Sequence, residues 1–239
     1  MQTQLASLGI SVLIAVATGS AQNVGAFAQS PAPTSQSQPR ATESQRILKI
    51  FPAYGVVQNP AVPFHPLTSQ DKFVLFVHGA ADPSNLLVAA TNAGIEQAAD
   101  IFPGYGQGAE GYGKRFGASL ADQASNSLFK NFAFPVLLRE DPRYFRKGQG
   151  TIKQRFGYAI SRVFVTRRDS GTTGFNFSRV LGSLASSALA NTYYPASDRG
   201  VGSTFARVGI AFGTDSALNV ISEFGSDLSY KFLTGRHRK

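Results

Sequence analysis

Four stretches of the chain carry a small residue at every fourth position. They are Ala90, Gly94, Ala98; Gly113, Gly117, Ala121, Ser125; Ser178, Gly182, Ser186, Ala190; and Gly209, Gly213, Ala217. On a helix, residues four apart share a face, so each ladder is a smooth stripe that lets a neighbouring backbone approach closely. The ladders lie in segments with helical periodicity. Together they predict an all-α domain, a single bundle of about five helices with tight small-residue packing and a ladder at each seam.

Capping and breaking residues set the expected boundaries. Asp82-Pro83 is a helix start, with Asp as N-cap and Pro at the first helical position. That helix should stop near Phe102, before Pro103 and a glycine cluster. Further helices are predicted at 111–132, ended by Pro135, at 152–167, at 175–193 before Pro195, and at 204–233. In the last, Phe205, Val208, Phe212, Leu218, Ile221, Phe224, Leu228 and Phe232 follow spacings of mostly three and four and form one amphipathic stripe. The run from Lys72 to His78 is too short for periodicity to choose between strand and helix. Residues 47–71 are broken by Pro52, Pro60, Pro63 and Pro66 and should form an extended arm ahead of the helical domain, 72–239. Residues 29–46 are mostly Gln, Ser, Pro, Ala and Thr and read as a disordered linker.

The first 28 residues have no charged side chain, contain an apolar run from Leu8 to Ala17, and end in the small-x-small pattern Ala26-Phe27-Ala28. They are read as a signal peptide, 1–28. The chain has no cysteine, so packing alone must hold an exported domain together, which points to the periplasm or outer envelope of a bacterium. The formal net charge of +9 favours anionic partners. At that address these are lipid headgroups, lipopolysaccharide or cell-wall polymer; nucleic acid fits the charge but not the place.

No predicted helix reads as a membrane span. Arg207 and Asp215 stand inside the last, Asp122 inside the second, and Glu96 and Asp100 inside the first. A charge at the bilayer centre costs about 3 kcal/mol on insertion scales.

The motifs that resemble known chemistry are weak. Phe73 to Gly79 is an apolar run ending in His-Gly, as at an α/β-hydrolase oxyanion hole, but there is no G-x-S-x-G elbow and no strand–helix alternation. Gly106 to Gly111 spells G-x-G-x-x-G after a helix and Pro103 rather than after a strand, so it reads as a turn and implies no dinucleotide. His65, His78 and His237 lie too far apart to suggest a metal site. No cofactor is expected.

The most suggestive segment is 139–168. Arg139, Arg143, Arg146, Lys147, Lys153, Arg155, Arg162, Arg167 and Arg168 stand there against only Glu140 and Asp141. Arginine binds phosphate through its planar fork, and Tyr144 and Phe145, set among these cations, suit a headgroup-level interface. The candidate anion-binding residues are Arg139, Arg143, Arg146, Arg155, Arg162, Arg167 and Arg168, with Tyr144 and Phe145 as interfacial anchors.

The strings Glu140-Asp141-Pro142-Arg143-Tyr144-Phe145-Arg146 and Tyr193-Tyr194-Pro195-Ala196-Ser197-Asp198-Arg199-Gly200, with Phe102-Pro103-Gly104-Tyr105-Gly106, resemble an uncharacterised family of exported bacterial envelope proteins. The resemblance covers most of the chain from about residue 70 and implies an envelope protein without implying an activity.

The expected function is therefore that of an exported, non-catalytic envelope protein. It would associate peripherally with membrane, or with an anionic lipid or envelope polymer, with self-association into a homo-oligomer also open. One alternative is an enzyme on a lipid or phosphorylated envelope substrate, with His78 or Asp141 as acid or base. A second is an integral membrane component assembled through its small faces.

Overall fold

The ambiguous run at 72–78 is a helix, because Thr68 starts one. The Thr68 hydroxyl accepts from the Asp71 amide and the Asp71 carboxylate accepts from the Thr68 amide, a capping box opening α1, Ser69–Ala81. The computed structural model describes residues 46–47, 51–52, 55–58 and 63–234, within one compact unit of residues 41–239. The expected signal peptide and, apart from Arg46, the linker lie outside the described residues.

The chain is an all-α bundle. After α1 come α2, Ser84–Ala98, and α3, Gly108–Ser127. The axis then runs on through a π-helical turn, Leu128–Ala133, into α4, Phe134–Leu138. Pro135 was expected to stop this helix. It sits in the first turn of α4 instead, where a missing N–H is tolerated, and the wider π turn precedes it. The remaining helices are α5, Ile152–Ser161, α6, Phe177–Ala190, and α7, Val201–Thr234.

Short strands lock the connections. In the arm, β1, Arg46–Ile47, pairs antiparallel with β2, Phe51–Pro52. Then β3, Val56–Val57, lies parallel to β5, Tyr144–Phe145. The strand β4, Glu140–Asp141, pairs antiparallel with β6, Val165–Arg168, which pairs with β7, Thr173–Phe175. The predicted helix 152–167 thus ends at Ser161, and the β-branched and aromatic run beyond it becomes β6.

The α6 ladder is the seam that was expected: Ser178, Gly182, Ser186 and Ala190 are all buried. A Cβ on Gly182 would stand 3.2 Å from the Lys130 amide nitrogen and from the Phe129 carbonyl carbon, so the α6 backbone lies against the π turn. The α7 ladder is the reverse. Gly209, Gly213 and Ala217 are exposed, and a Cβ on either glycine would meet nothing within 4 Å. In α3 only Ser125 of its ladder is buried, and in α2 the buried residues are Ala89 and Ala93, beside the ladder rather than on it. Helical spacing identified a face in each case; it did not say which way that face points.

The inside of the bundle is polar. Buried apolar side chains among the described residues are mostly small or aromatic: Ala89, Ala93, Ala118, Ala159, Ala190, Val163, Tyr105, Tyr144 and Tyr194. Lys72, Arg115, Lys130, Glu140, Asp141, Arg146, Asp215 and Glu223 are buried with them. Many of the long aliphatic side chains and several phenylalanines face out.

Candidate functional site

The arginines of segment 139–168 are held mainly by the protein's own carboxylates and rings. On α7, Glu223 has no exposed surface, and its carboxylate accepts from the Tyr144 hydroxyl at 2.8 Å, the Lys147 and Gly148 amides at 2.9 Å, and Arg155 Nε at 2.8 Å. One turn on, Asp227 pairs with Arg146 at 2.6 Å and Arg155 at 2.7 Å. Burial works against ionisation of Glu223, but Arg155, the two amides and Tyr144 outweigh it and hold its pKa below the usual range. Arg143 forks onto Asp141, with Nη2 2.6 Å from Oδ2, and donates to the His65 carbonyl. The Arg167 guanidinium covers the Phe64 and Phe145 rings, and Arg162 covers Tyr158. Only Arg139 and Arg168 of the candidate set are exposed.

This geometry bears on both of the expected anchors. Tyr144 is not an interfacial anchor, because its ring is buried and its hydroxyl is committed to Glu223. Phe145 lies half-buried beneath Arg143, Arg167 and Phe64 and serves to hold the arm. The residues brought together are Arg143, Arg146, Arg155 and Arg167, around the arm and α7 rather than around a guest.

A second network organises the strings at 102–106 and 193–200. The side chain of Arg115 is fully buried and donates to the carbonyls of Ile101, Phe102 and Gly106 and to Gln97. These bonds hold Phe102 at φ 56°, left-handed backbone unusual for a bulky residue. Tyr193 and Tyr194 both donate to the Asp122 carboxylate, at 2.5 and 2.8 Å. Burial raises the Asp122 pKa, and the two phenols offset this only in part. Burial, with Asp122 and Glu96 nearby, pushes the Tyr105 phenol to about 12. Arg199 donates to the Tyr194 carbonyl, and Arg207 to that of Asp198.

A third set crosses between helices. Lys72 bonds Asp169 at 2.7 Å and the Pro135 carbonyl. Asp215 takes Lys130 at 3.1 Å and Arg179 at 3.0 Å. Glu140 accepts from the Ser178 amide at 2.8 Å, placing its charge at the positive end of α6. None of these pairings was read from the sequence. A signal for them existed: Asp215, Asn219, Glu223 and Asp227 recur every fourth residue on α7.

Against this interior stands an apolar exterior. On α6, Phe177, Leu181, Leu184 and Leu189 are exposed opposite the buried serines. On α7, Phe205 is 62% and Ile210 69% exposed, and Leu218 and Leu228 also face out, so Phe205, Leu218 and Leu228 of the stripe turn away from the bundle while Val208, Phe212, Ile221 and Phe224 are half-buried. On α2, Leu87 is 65% exposed, beside Leu86, Val88 and Ile95. Phe73, Val74 and Val77 on α1, and Ile152, Phe156 and Ile160 on α5, add to it. Among the described residues no single helix is long and apolar enough to cross a membrane; α1 and α2, bent by 45°, have that length and composition together.

His78 is exposed near the end of α1, and Asp141 is buried in its pair with Arg143. No group of three or more His, Cys, Asp or Glu fit to hold a metal occurs among the described residues. No family model, curated protein or solved structure matches this chain.

Proposed function

We propose that this chain is a non-catalytic helical protein of the bacterial envelope that seats its apolar helix faces in the acyl region of a membrane. One observation carries this reading: Asp122, Lys130, Asp215 and Glu223, charges inside the helices, turn inward and are bonded there, while leucine, phenylalanine and isoleucine side chains on several helices turn outward. Water as the surrounding solvent selects the opposite arrangement. Lipid selects this one, because ionisable groups in a bilayer face the bundle interior and pair there. Asp122 and Asp215, which argued against burial in lipid when read from the sequence, never meet it in such a bundle. The serine and glycine seam of α6 is the kind of contact that packs helices when the apolar effect between them is absent. The exposed side chains lie on five helices, more than one docking face would cover.

Peripheral binding through the arginine cluster loses its support, since most of those guanidiniums already have partners. The test is fractionation with alkaline carbonate and with detergent, followed by flotation on zwitterionic and anionic vesicles. Retention after carbonate, release by detergent and flotation on both vesicles is expected. Release by carbonate, or flotation on anionic vesicles only, overturns the proposal. Leu181→Glu with Leu184→Glu should reduce flotation, because both residues face out on α6 and neither contributes to an ion pair.

A further inference from the structure

Where α3 gives way to the π turn, the wider backbone ring rotates Lys130 inward, against α6. A Cβ on Gly182 would lie 2.9 Å from Lys130 Cγ, so the lysine stem is pressed along the glycine, and its ammonium lies 3.1 Å from Asp215 Oδ2. Lys130 lines an open cavity of about 280 Å³, with Arg179 from α6 and Asp215, Asn219 and Ser222 from α7. Among the described residues lining it, Lys130 and Arg179 are positive and Asp215 alone is negative. Lys130 donates to Asp215 Oδ2 at 3.1 Å, and Arg179 Nη1 lies 3.0 Å from Asp215 Oδ1. The three charged side chains of that lining therefore sum to one formal positive charge. Burial lowers the Lys130 pKa and Asp215 offsets this in part; a bound anion would add to that offset. Single π turns recur at functional sites in helices, and the volume approaches that of small-ligand pockets.

We propose that this cavity binds a small phosphate-bearing molecule, its oxyanion held between the Lys130 ammonium and the Arg179 guanidinium. A lysine point charge beside an arginine fork is a combination suited to phosphate, and the space beyond it accepts a short polyol such as glycerol. The proposal goes beyond the membrane reading and stands apart from it, because it concerns the interior of the bundle.

The test uses the full chain in nonionic detergent, with thermal unfolding followed against inorganic phosphate, glycerol phosphate and a short-chain phosphatidic acid. Sodium chloride at matched ionic strength is the control. A saturable rise in the unfolding midpoint is expected, since a ligand of the native state stabilises it by mass action. A rise with phosphatidic acid alone assigns the site to a lipid headgroup; a rise with the soluble phosphates as well assigns it to a free metabolite. Lys130→Met should weaken binding by roughly tenfold or more, the loss of one charge-assisted contact. Ser222→Leu narrows the cavity without replacing a member of the ion pairs, and should weaken the response while leaving the ligand-free midpoint close to that of the parent. No rise with any probe beyond the chloride control, or an equal rise in both variants, overturns the proposal.

Discussion

Two buried carboxylates of this chain affect stability in opposite senses. Glu223 faces Arg155 and two amides, and its pKa is lowered from 4.5. A lowered acid contributes stability that is present above its unfolded pKa and lost as pH falls through its folded value. Asp215 and Asp227, also lowered, act in the same direction below about 3.8. Asp122 is raised from 3.8. Its contribution is complete below that value and is lost as pH rises through its folded pKa. Glu223→Gln should destabilise the chain by about 3 kcal/mol at pH 7, the low end for breaking a buried pair because Asp227 still holds Arg155. Its stability should also fall less steeply than that of the parent below pH 4.5. Asp122→Asn keeps an oxygen for one tyrosine hydroxyl and removes a charge whose burial is unfavourable, so it should equal or exceed the parent in stability at pH 7. Denaturant unfolding in detergent at a series of pH values measures both. A Glu223→Gln curve parallel to that of the parent at low pH would contradict the assignment.

At the scale of elements, the glycine ladders separate into seams and outer faces, and alanine substitution distinguishes them. Gly182→Ala places a Cβ 3.2 Å from two backbone atoms that cannot swing away, and should cost about 1–3 kcal/mol as overpacking does. Gly209→Ala and Gly213→Ala meet open space in a helix interior and should each stabilise by about 0.4–1 kcal/mol through the unfolded chain. Unfolding midpoints of the three variants check this, and a loss at Gly209 would mean that the α7 ladder is packed after all. The same contrast explains what the sequence disclosed. Period four located the helices and their faces, as in Ser178 to Ala190, because spacing alone fixes which residues share a face. It did not give the direction of a face, since Phe205, Leu218 and Leu228 keep the same period whether they meet a core or lipid. The helix through Lys72–His78 was hidden because its start depends on Thr68 and Asp71, outside the apolar run. The Arg-rich segment was visible as charge, but its carboxylate partners Glu223 and Asp227 lie far along the chain.

For the whole molecule the net charge of +9 and the buried ion pairs make different demands on salt. Exposed charges interact over about 10 Å at ~0.1 M salt and less at higher concentrations, whereas pairs inside the bundle are screened little. If surface charge attached this protein to the envelope, salt would release it. If outward leucine and phenylalanine attach it, salt has little to act on, and partition follows the apolar area removed from water at about 25 cal/mol per Å². Raising sodium chloride from low concentration to about 1 M should therefore leave the membrane-bound fraction nearly unchanged. The unfolding midpoint in detergent should also hold, because Glu223 with Arg155 and Asp215 with Lys130 are largely buried. Without lipid or detergent the same surface should drive self-association, read as sedimentation at low concentration and as binding of an apolar dye. A chain that stays monomeric in plain buffer and leaves the membrane at high salt would place its adhesive surface on Arg139, Arg168 and the exposed cations instead of on the helix faces.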